Sequence, residues 1–258
     1  MNERSEYSSA PGTGERLNGR HPEWLSGAQL KWIAIVTMAI DHFAASILKV
    51  LLQRGMGNPD TLMDVYRVMR NAGRLAFPIY CFMLVEGFLH TRSRKNYLRN
   101  LVLFGCISEI PFDLALSQTV FAPAHQNVFF TLALGLASIW AIDEVEKRRR
   151  GVTGWLIAVL IIVAVFSTAQ FCHVDYSGYG PLVIIVLYST RKNRLLQCVA
   201  GALLFAFIPG EFPWALLSFV MLYTYNGKRG RQHKWFFYGF YPVHLLIFGI
   251  ISTLIARG

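Results

Sequence analysis

Charge is scarce in this chain: only 16% of its 258 residues are Asp, Glu, Lys or Arg, against 54% hydrophobic and 14% aromatic residues. Such a balance, with a mean hydropathy of +0.39, excludes an ordinary soluble domain and a disordered chain alike. Cysteine is scarce too. Of four, Cys81, Cys106 and Cys198 lie within apolar runs and only Cys172 lies beyond one, which leaves neither a disulfide framework nor a paired metal motif. Missing as well are a phosphate loop, a dinucleotide fingerprint, a Gly-x-Ser-x-Gly elbow and metal-type His/Cys spacing. No internal repeat of the kind found in many transporters stands out.

Present instead are apolar stretches of about 20 residues, the length that crosses about 30 Å of hydrocarbon as helix. Read from Gln29 onward, they predict an all-α, polytopic integral membrane helical bundle with about nine transmembrane helices. The expected spans are 30–52, 71–90, 98–117, 126–146, 152–171, 177–190, 195–208, 212–226 and 236–256, the sixth to eighth being short enough to be tilted, broken or re-entrant. The net charge of +10 sits in clusters: Arg92/Arg94/Lys95/Arg99, Lys147/Arg148/Arg149/Arg150, Arg191/Lys192/Arg194 and Lys228/Arg229/Arg231/Lys234. Two spans separate each cluster from the next, so all lie on one side, together with Arg4, Arg16, Arg20 and Lys31. Outer loops carry chiefly Arg54, Arg67 and Arg70, and the positive-inside rule then makes the amino terminus cytoplasmic. Residues 1–26, rich in Ser, Gly, Pro, Asn and charge, read as a disordered cytoplasmic tail, and 27–258 as the membrane-embedded domain. Charge distributed this way implies a bilayer as partner and not a nucleic acid.

Ionisable groups cost about 2.5–3.5 kcal/mol each at the centre of a membrane helix, so those retained face the bundle interior and often mark function. Asp41, His42, Glu109 and His244 fall near the midplane, Arg74, Asp113 and Asn127 in the outer part, and His173 and Asp175 in the loop beyond span five. Together they describe a polar cavity running outward from the bilayer centre. The plainer alternative is an internal ion pair, Arg74 with Asp41 or Asp113, that fixes helix packing. Histidine is the side chain most readily used as a base near neutral pH, which makes His42 and His244 the leading candidates. Lys31 and His42, eleven residues apart, share a helix face within about 20° and lie about 16 Å apart along the axis. A cytoplasmic cation and a buried base thus look down one groove, at the length of an extended pantetheine arm. Adjacent helical residues diverge by about 100°, so Asp41 is expected to meet another helix rather than His42. Glu109 and Asp113 share a face of span three, with Pro111 between them positioned to bend or break that helix.

Several segments carry a family resemblance: IDHF (Ile40 to Phe43), AGRLAFPIYCFMLVEGF (Ala72 to Phe88), QNVFFTLALG (Gln126 to Gly135), the Tyr179-Gly180 pair and FYPVHLLIFGI (Phe240 to Ile250). As an ordered set they resemble the TraX family, named for the conjugal F-pilin acetylase, over the chain from Gln29 to Ile251. The resemblance implies a bacterial inner-membrane, multi-pass acetyltransferase that moves an acetyl group from acetyl-CoA to an acceptor. It singles out Asp41, His42, Arg74, Asn127 and His244. SEIPFD (Ser108 to Asp113) is similar to chromosomal TraX-like proteins and departs from the pilin acetylase itself, which leaves the acceptor open between a pilin amino terminus and an envelope glycan. The spacing of Lys31 and His42 is also similar to the basic-residue and histidine pair of acyltransferase-3-type membrane enzymes, where the basic residue is usually arginine.

On this reading the phosphates of acetyl-CoA meet Lys31 and some of Arg92, Arg94, Lys95 and Arg99. His42 takes the proton of an acceptor amine or hydroxyl, directly or by way of an acetyl-histidine. His244 or Asn127 hydrogen-bonds the thioester oxygen, Arg74 with Asp41 holds the cavity, Glu109, Asp113 and Asp175 hold the acceptor, and no metal takes part. The competing reading is a proton-coupled transporter in which Asp41, His42, Glu109 and His244 form a proton relay. A noncatalytic membrane partner in a larger assembly would leave the midplane histidines unexplained.

Overall fold

The computed structural model describes residues 22–149, 151–208, 210, 213–231 and 234–257, and these are helical throughout apart from turns and two isolated backbone bridges. Arg150 and residues 1–21 of the expected tail lie outside the described residues. In chain order the helices are α1 (Gly27–Gln53), α2 (Pro59–Gly73), α3 (Ala76–His90), α4 (Arg94–Ser117), α5 (Val128–Arg148), α6 (Val152–Phe171), α7 (Tyr179–Ser189), α8 (Arg194–Ala206), α9 (Trp214–Tyr223) and α10 (Lys234–Arg257). Among the described residues six helices are long and apolar enough to cross a membrane, counting α2 and α3 as the single stretch Pro59–His90. The protein is thus a helical membrane protein. The remaining three, α7, α8 and α9, have 11, 13 and 10 residues. At about 1.5 Å per residue each covers only part of a bilayer's thickness.

The sequence explains where the helices begin. Ser26 and Gln29 form a reciprocal capping box at the start of α1, with Ser26 N–H donating to Gln29 Oε1 at 2.8 Å. Asn58 caps α2, with Pro59 at its first position, and Ser93, Asn127 and Asn193 cap α4, α5 and α8. Two departures from the sequence reading matter for the site. Helix begins at Pro59, well before the expected start of the second span, because 59–73 is amphipathic rather than apolar. It gives way to α3 over Arg74 and Leu75, where Pro78 lacks the N–H that would close the turn onto the Arg74 carbonyl. By contrast Pro111 does not break α4, which runs on to Ser117.

Contacts between loops sort the helix ends into two sets. At one end, Gly27 N–H donates to the Lys228 carbonyl (2.8 Å), Arg94 pairs with Asp143 (2.5 Å), Arg191 with Glu146 (3.6 Å) and Arg194 with Glu86 (3.8 Å). The Arg194 guanidinium also stacks over Tyr225, just after α9. The start of α1 and all four basic clusters therefore share one end of the bundle. At the opposite end Gln126 N–H donates to the His173 carbonyl (2.9 Å), Lys49 reaches the Leu116 carbonyl (3.4 Å), and the Gln118 amide donates to Ser252 (2.9 Å).

The core runs between α1, α3, α5 and α7, with Leu30, Ile79, Phe82, Leu136, Ile184 and Tyr188 almost wholly buried. The most extensive helix pairing is α4 with α10, which holds α10 beside α1. By contrast α6 buries little, as a helix facing lipid would.

Candidate functional site

The centre of the site is a pair of histidines 202 positions apart in sequence. His42 lies near the end of the regular part of α1, immediately before a π turn over Ala44–Leu48. Such single wide turns concentrate at functional sites in helices. There Ser46 Oγ donates to the His42 carbonyl at 2.5 Å. From α10 comes His244. Its Nε2 lies 2.7 Å from His42 Nδ1, and the two rings are nearly parallel and meet edge to edge, with centroids 5.0 Å apart. His244 Nδ1 in turn lies 2.7 Å from the carbonyl oxygen of Phe240, one helical turn earlier. Aromatic rings close around the pair: Phe240 stacks on His244 at 4.7 Å, and Tyr241 stands edge-on to both imidazoles at 5.7 and 5.8 Å.

Tyr241 also belongs to a second feature. A cavity of about 110 Å³ opens between α1, α3, α4, α5 and α10, with Lys31, Met38, Tyr80, Tyr97, Tyr238 and Tyr241 in its wall. Lys31 stands near the basic end of the bundle, its ammonium 5.5 Å from the Phe237 ring centroid. Tyr241 has its ring against Phe129 (5.0 Å) and its hydroxyl against the backbone of Val128, both in the first turn of α5. It is 3% exposed, so one buried phenol joins the cavity to the histidine pair.

On the other side of His42 lies a cluster of polar side chains. Asp41 turns away from its neighbour and accepts a hydrogen bond from Arg70 of α2 at 2.6 Å. Gly73 makes this possible: a side chain there would collide with that of Asp41. The Asn127 side chain donates to Glu109 and to the Gly105 carbonyl (2.8 Å) while accepting from the Phe129 N–H (3.0 Å). Asp113 accepts from the Ala122 N–H at 2.7 Å. Asp175 meets His125 at 3.5 Å, and Thr131 donates to the Asp175 carbonyl at 2.6 Å. His125 lies in the loop before α5; the Asp175 carboxylate at its side holds its pKa above the ordinary histidine value. Four buried oxygens here have no hydrogen-bond partner among the described residues: Asp41 Oδ1, Ser108 Oγ, Glu109 Oε1 and Asp113 Oδ1. Native interiors leave few such atoms, and each calls for a partner such as an ordered water, an ion or a ligand.

The TraX protein family model matches residues 26–252, a stretch that includes every one of these groups. The chain belongs to the TraX family. It is also 31% identical over 248 residues to the probable fimbrial assembly protein FimC, serogroup H1, of Dichelobacter nodosus, a match covering 86% of this chain and 93% of that relative. No solved structure matches it.

Placed in this TraX-family structure, the residues named from the sequence separate into groups. His42 and His244 touch; Asp41 and Arg74 sit on the outer side of them; Glu109, Asp113, Asn127 and Asp175 belong to the polar cluster; Lys31 lines the cavity. The basic loop residues do not join them. Arg94 is held by Asp143 (2.5 Å) and Glu144 (3.5 Å) with its guanidinium over the Phe88 ring, whereas Arg92, Lys95 and Arg99 are exposed and are not in the cavity wall. Asn127 spends its side chain on capping α5. Three features escaped the sequence reading: Arg70, which it placed in an outer loop; Tyr241, one aromatic among many; and the π turn. For Arg70 a signal existed, since it lies four residues before Arg74 and so on the same helical face.

Proposed function

We propose that this protein is a multi-pass acetyltransferase of the bacterial inner membrane, with a cytoplasmic amino terminus and a membrane-embedded domain over 27–258. It transfers an acetyl group from cytoplasmic acetyl-CoA to an amine or hydroxyl acceptor. The topology is supported by the gathering of all four basic clusters at one end of the bundle, which the positive-inside rule assigns to the cytoplasm.

The observation that carries the reading is the continuity from Lys31 through the tyrosine-lined cavity to Tyr241 and the His42–His244 pair. Lys31 meets the coenzyme's phosphates at the basic end, and the apolar, tyrosine-lined wall takes the pantetheine arm. His42 removes the acceptor's proton as the acceptor's nitrogen or oxygen attacks the thioester carbon. When the carbon–sulfur bond breaks, the same imidazole returns that proton to the departing thiolate, so nothing is left over. Tyr241 donates its hydroxyl proton to the oxygen on which negative charge develops, since Asn127 and His244 are both committed to other partners. The carboxylates of Asp41, Glu109, Asp113 and Asp175 hold the acceptor, which enters from the end opposite the coenzyme. The fimbrial assembly role in the Dichelobacter relative's name supports an acceptor in that process, a pilin amino terminus before an envelope glycan.

The test uses membranes containing the full chain, acetyl-CoA labelled in its acetyl group and envelope fractions from cells lacking the protein. Label should enter a protein or glycan only when the chain is present. Consumption of no acetyl-CoA, together with proton-coupled uptake of a solute into vesicles, would put a transporter in its place.

A further inference from the structure

The two short contacts of His244 fix more than a position. A carbonyl oxygen only accepts, so the 2.7 Å contact with Phe240 places a proton on His244 Nδ1. In a neutral imidazole the other nitrogen is then a bare lone pair. His244 Nε2 faces His42 Nδ1 at 2.7 Å, and two lone pairs would repel at that distance, so His42 Nδ1 carries the proton between them. What remains on His42 is an unprotonated Nε2. The chain of donors therefore runs in one direction, from His42 to His244 to the Phe240 carbonyl, and ends on the backbone of α10.

We infer that His244 is a positioning residue that never touches substrate: it holds His42 in the tautomer whose Nε2 is the base, and it shares the charge of the imidazolium that forms. The inference rests on the acetyltransferase reading for its catalytic consequence, though the tautomer itself does not. Without an acceptor at His244 Nε2, His42 is free to turn its ring or move its proton to Nε2, and the lone pair is then misplaced. Confinement explains the aromatic enclosure as well. Phe240, Tyr241 and Phe248 bound the His244 ring on several sides, so that its orientation is set by packing as well as by the backbone carbonyl.

Substitution at 244 separates this role from a chemical one. His244→Gln presents an amide oxygen that can accept from His42 Nδ1 but cannot titrate; His244→Leu, of similar bulk, can do neither. With the full chain in membranes, labelled acetyl-CoA and envelope fractions as acceptor, His244→Leu should lose about 10²–10⁴ in turnover with little change in the KM for acetyl-CoA. His244→Gln should remain within about tenfold of the unaltered chain, because the neutral acceptor suffices. Nitrogen-15 NMR of the unaltered chain in nanodiscs should show His42 with a protonated Nδ1 and a bare Nε2, and the preference should vanish in His244→Leu. Two outcomes overturn the proposal: His244→Gln as inactive as His244→Leu while its melting point is unchanged, which makes His244 itself a titrating group, or a bare Nδ1 on His42. If the tautomer is as stated and no acetyl transfer is seen in the unaltered chain, the acetyltransferase reading fails and the positioning role stands.

Discussion

The two ends of the bundle treat charge in opposite ways. At the basic end the acids are paired: Asp143 accepts from Arg94, from Lys147 at 2.6 Å and from the Tyr188 hydroxyl at 2.8 Å, and Glu86 and Glu146 meet Arg194 and Arg191. Beyond His42, carboxylates and a serine are buried with oxygens left over. An atom left without a partner costs about 1–3 kcal/mol relative to a satisfied one, so these oxygens are open to water or to a ligand. The difference separates a clamp, where ion pairs tie helix ends together, from what the proposed function makes a receptacle for the acceptor.

That contrast can be broken most forcefully at the histidines. His42→Ala is expected to lower acetyl transfer by about 10²–10⁴ while acetyl-CoA binding and the melting temperature stay near those of the unaltered chain. Single-turnover assays and calorimetry check the two halves of the statement. Tyr241→Phe should cost about 10²–10³ in turnover, because a hydroxyl aimed at developing charge is lost without loss of the ring. A clamp residue should behave differently. Removing the Arg94 side chain (Arg94→Met) should cost about 1 kcal/mol in denaturant unfolding, since Asp143 keeps Lys147 and Tyr188 but loses the guanidinium that ties α4 to α5, with the affinity for acetyl-CoA unchanged. Equal effects on binding would move the coenzyme's phosphates to that loop.

A receptacle residue reverses the sign. Glu109→Gln keeps an oxygen to accept from Asn127 but removes a buried charge, so stability should hold or rise by about 1 kcal/mol while transfer falls. The smallest effect is expected at His125. Its pKa is raised, first by the hydrogen bond to Asp175, so its contribution is complete below the ordinary histidine value of about 6.5 and vanishes as pH climbs past the raised one. His125→Ala should therefore lower the melting temperature in mild acid and leave it alone in alkaline buffer. Both groups are partly exposed, so the loss should be below about 1 kcal/mol.

Much of the scaffold was legible because apolar runs and their polar interruptions repeat at membrane spacing. The site was legible in part for a related reason: an ionisable group inside such a run is conspicuous, which is how Asp41, His42, Glu109 and His244 came to notice. What failed were features with no local contrast. The segment 59–73 is a helix whose pattern is amphipathic, so a search for apolar runs passed over it and left Arg70 stranded in a supposed loop. Tyr241 is compositionally ordinary among 36 aromatic residues, and only the fold places it between cavity and imidazole. Contact between His42 and His244 depends on α10 packing beside α1, a tertiary fact that no window of sequence contains.

The wide turn over Ala44–Leu48 has a consequence for how α1 tolerates change in length. A π turn is an α-helix holding one residue too many, and each residue advances the helix by about 100° of azimuth. The extra residue is taken up within the wide turn, so the stretch before it, with Lys31 and His42, and the stretch after it, with Lys49, keep nearly the phase of a regular helix one residue shorter. A one-residue deletion at Ala45 would therefore let the helix relax to regular geometry with both stretches still facing their partners. The same deletion between Lys31 and His42 would swing one against the other by about 100°, so the wide turn marks a segment of α1 where a change in length is tolerated.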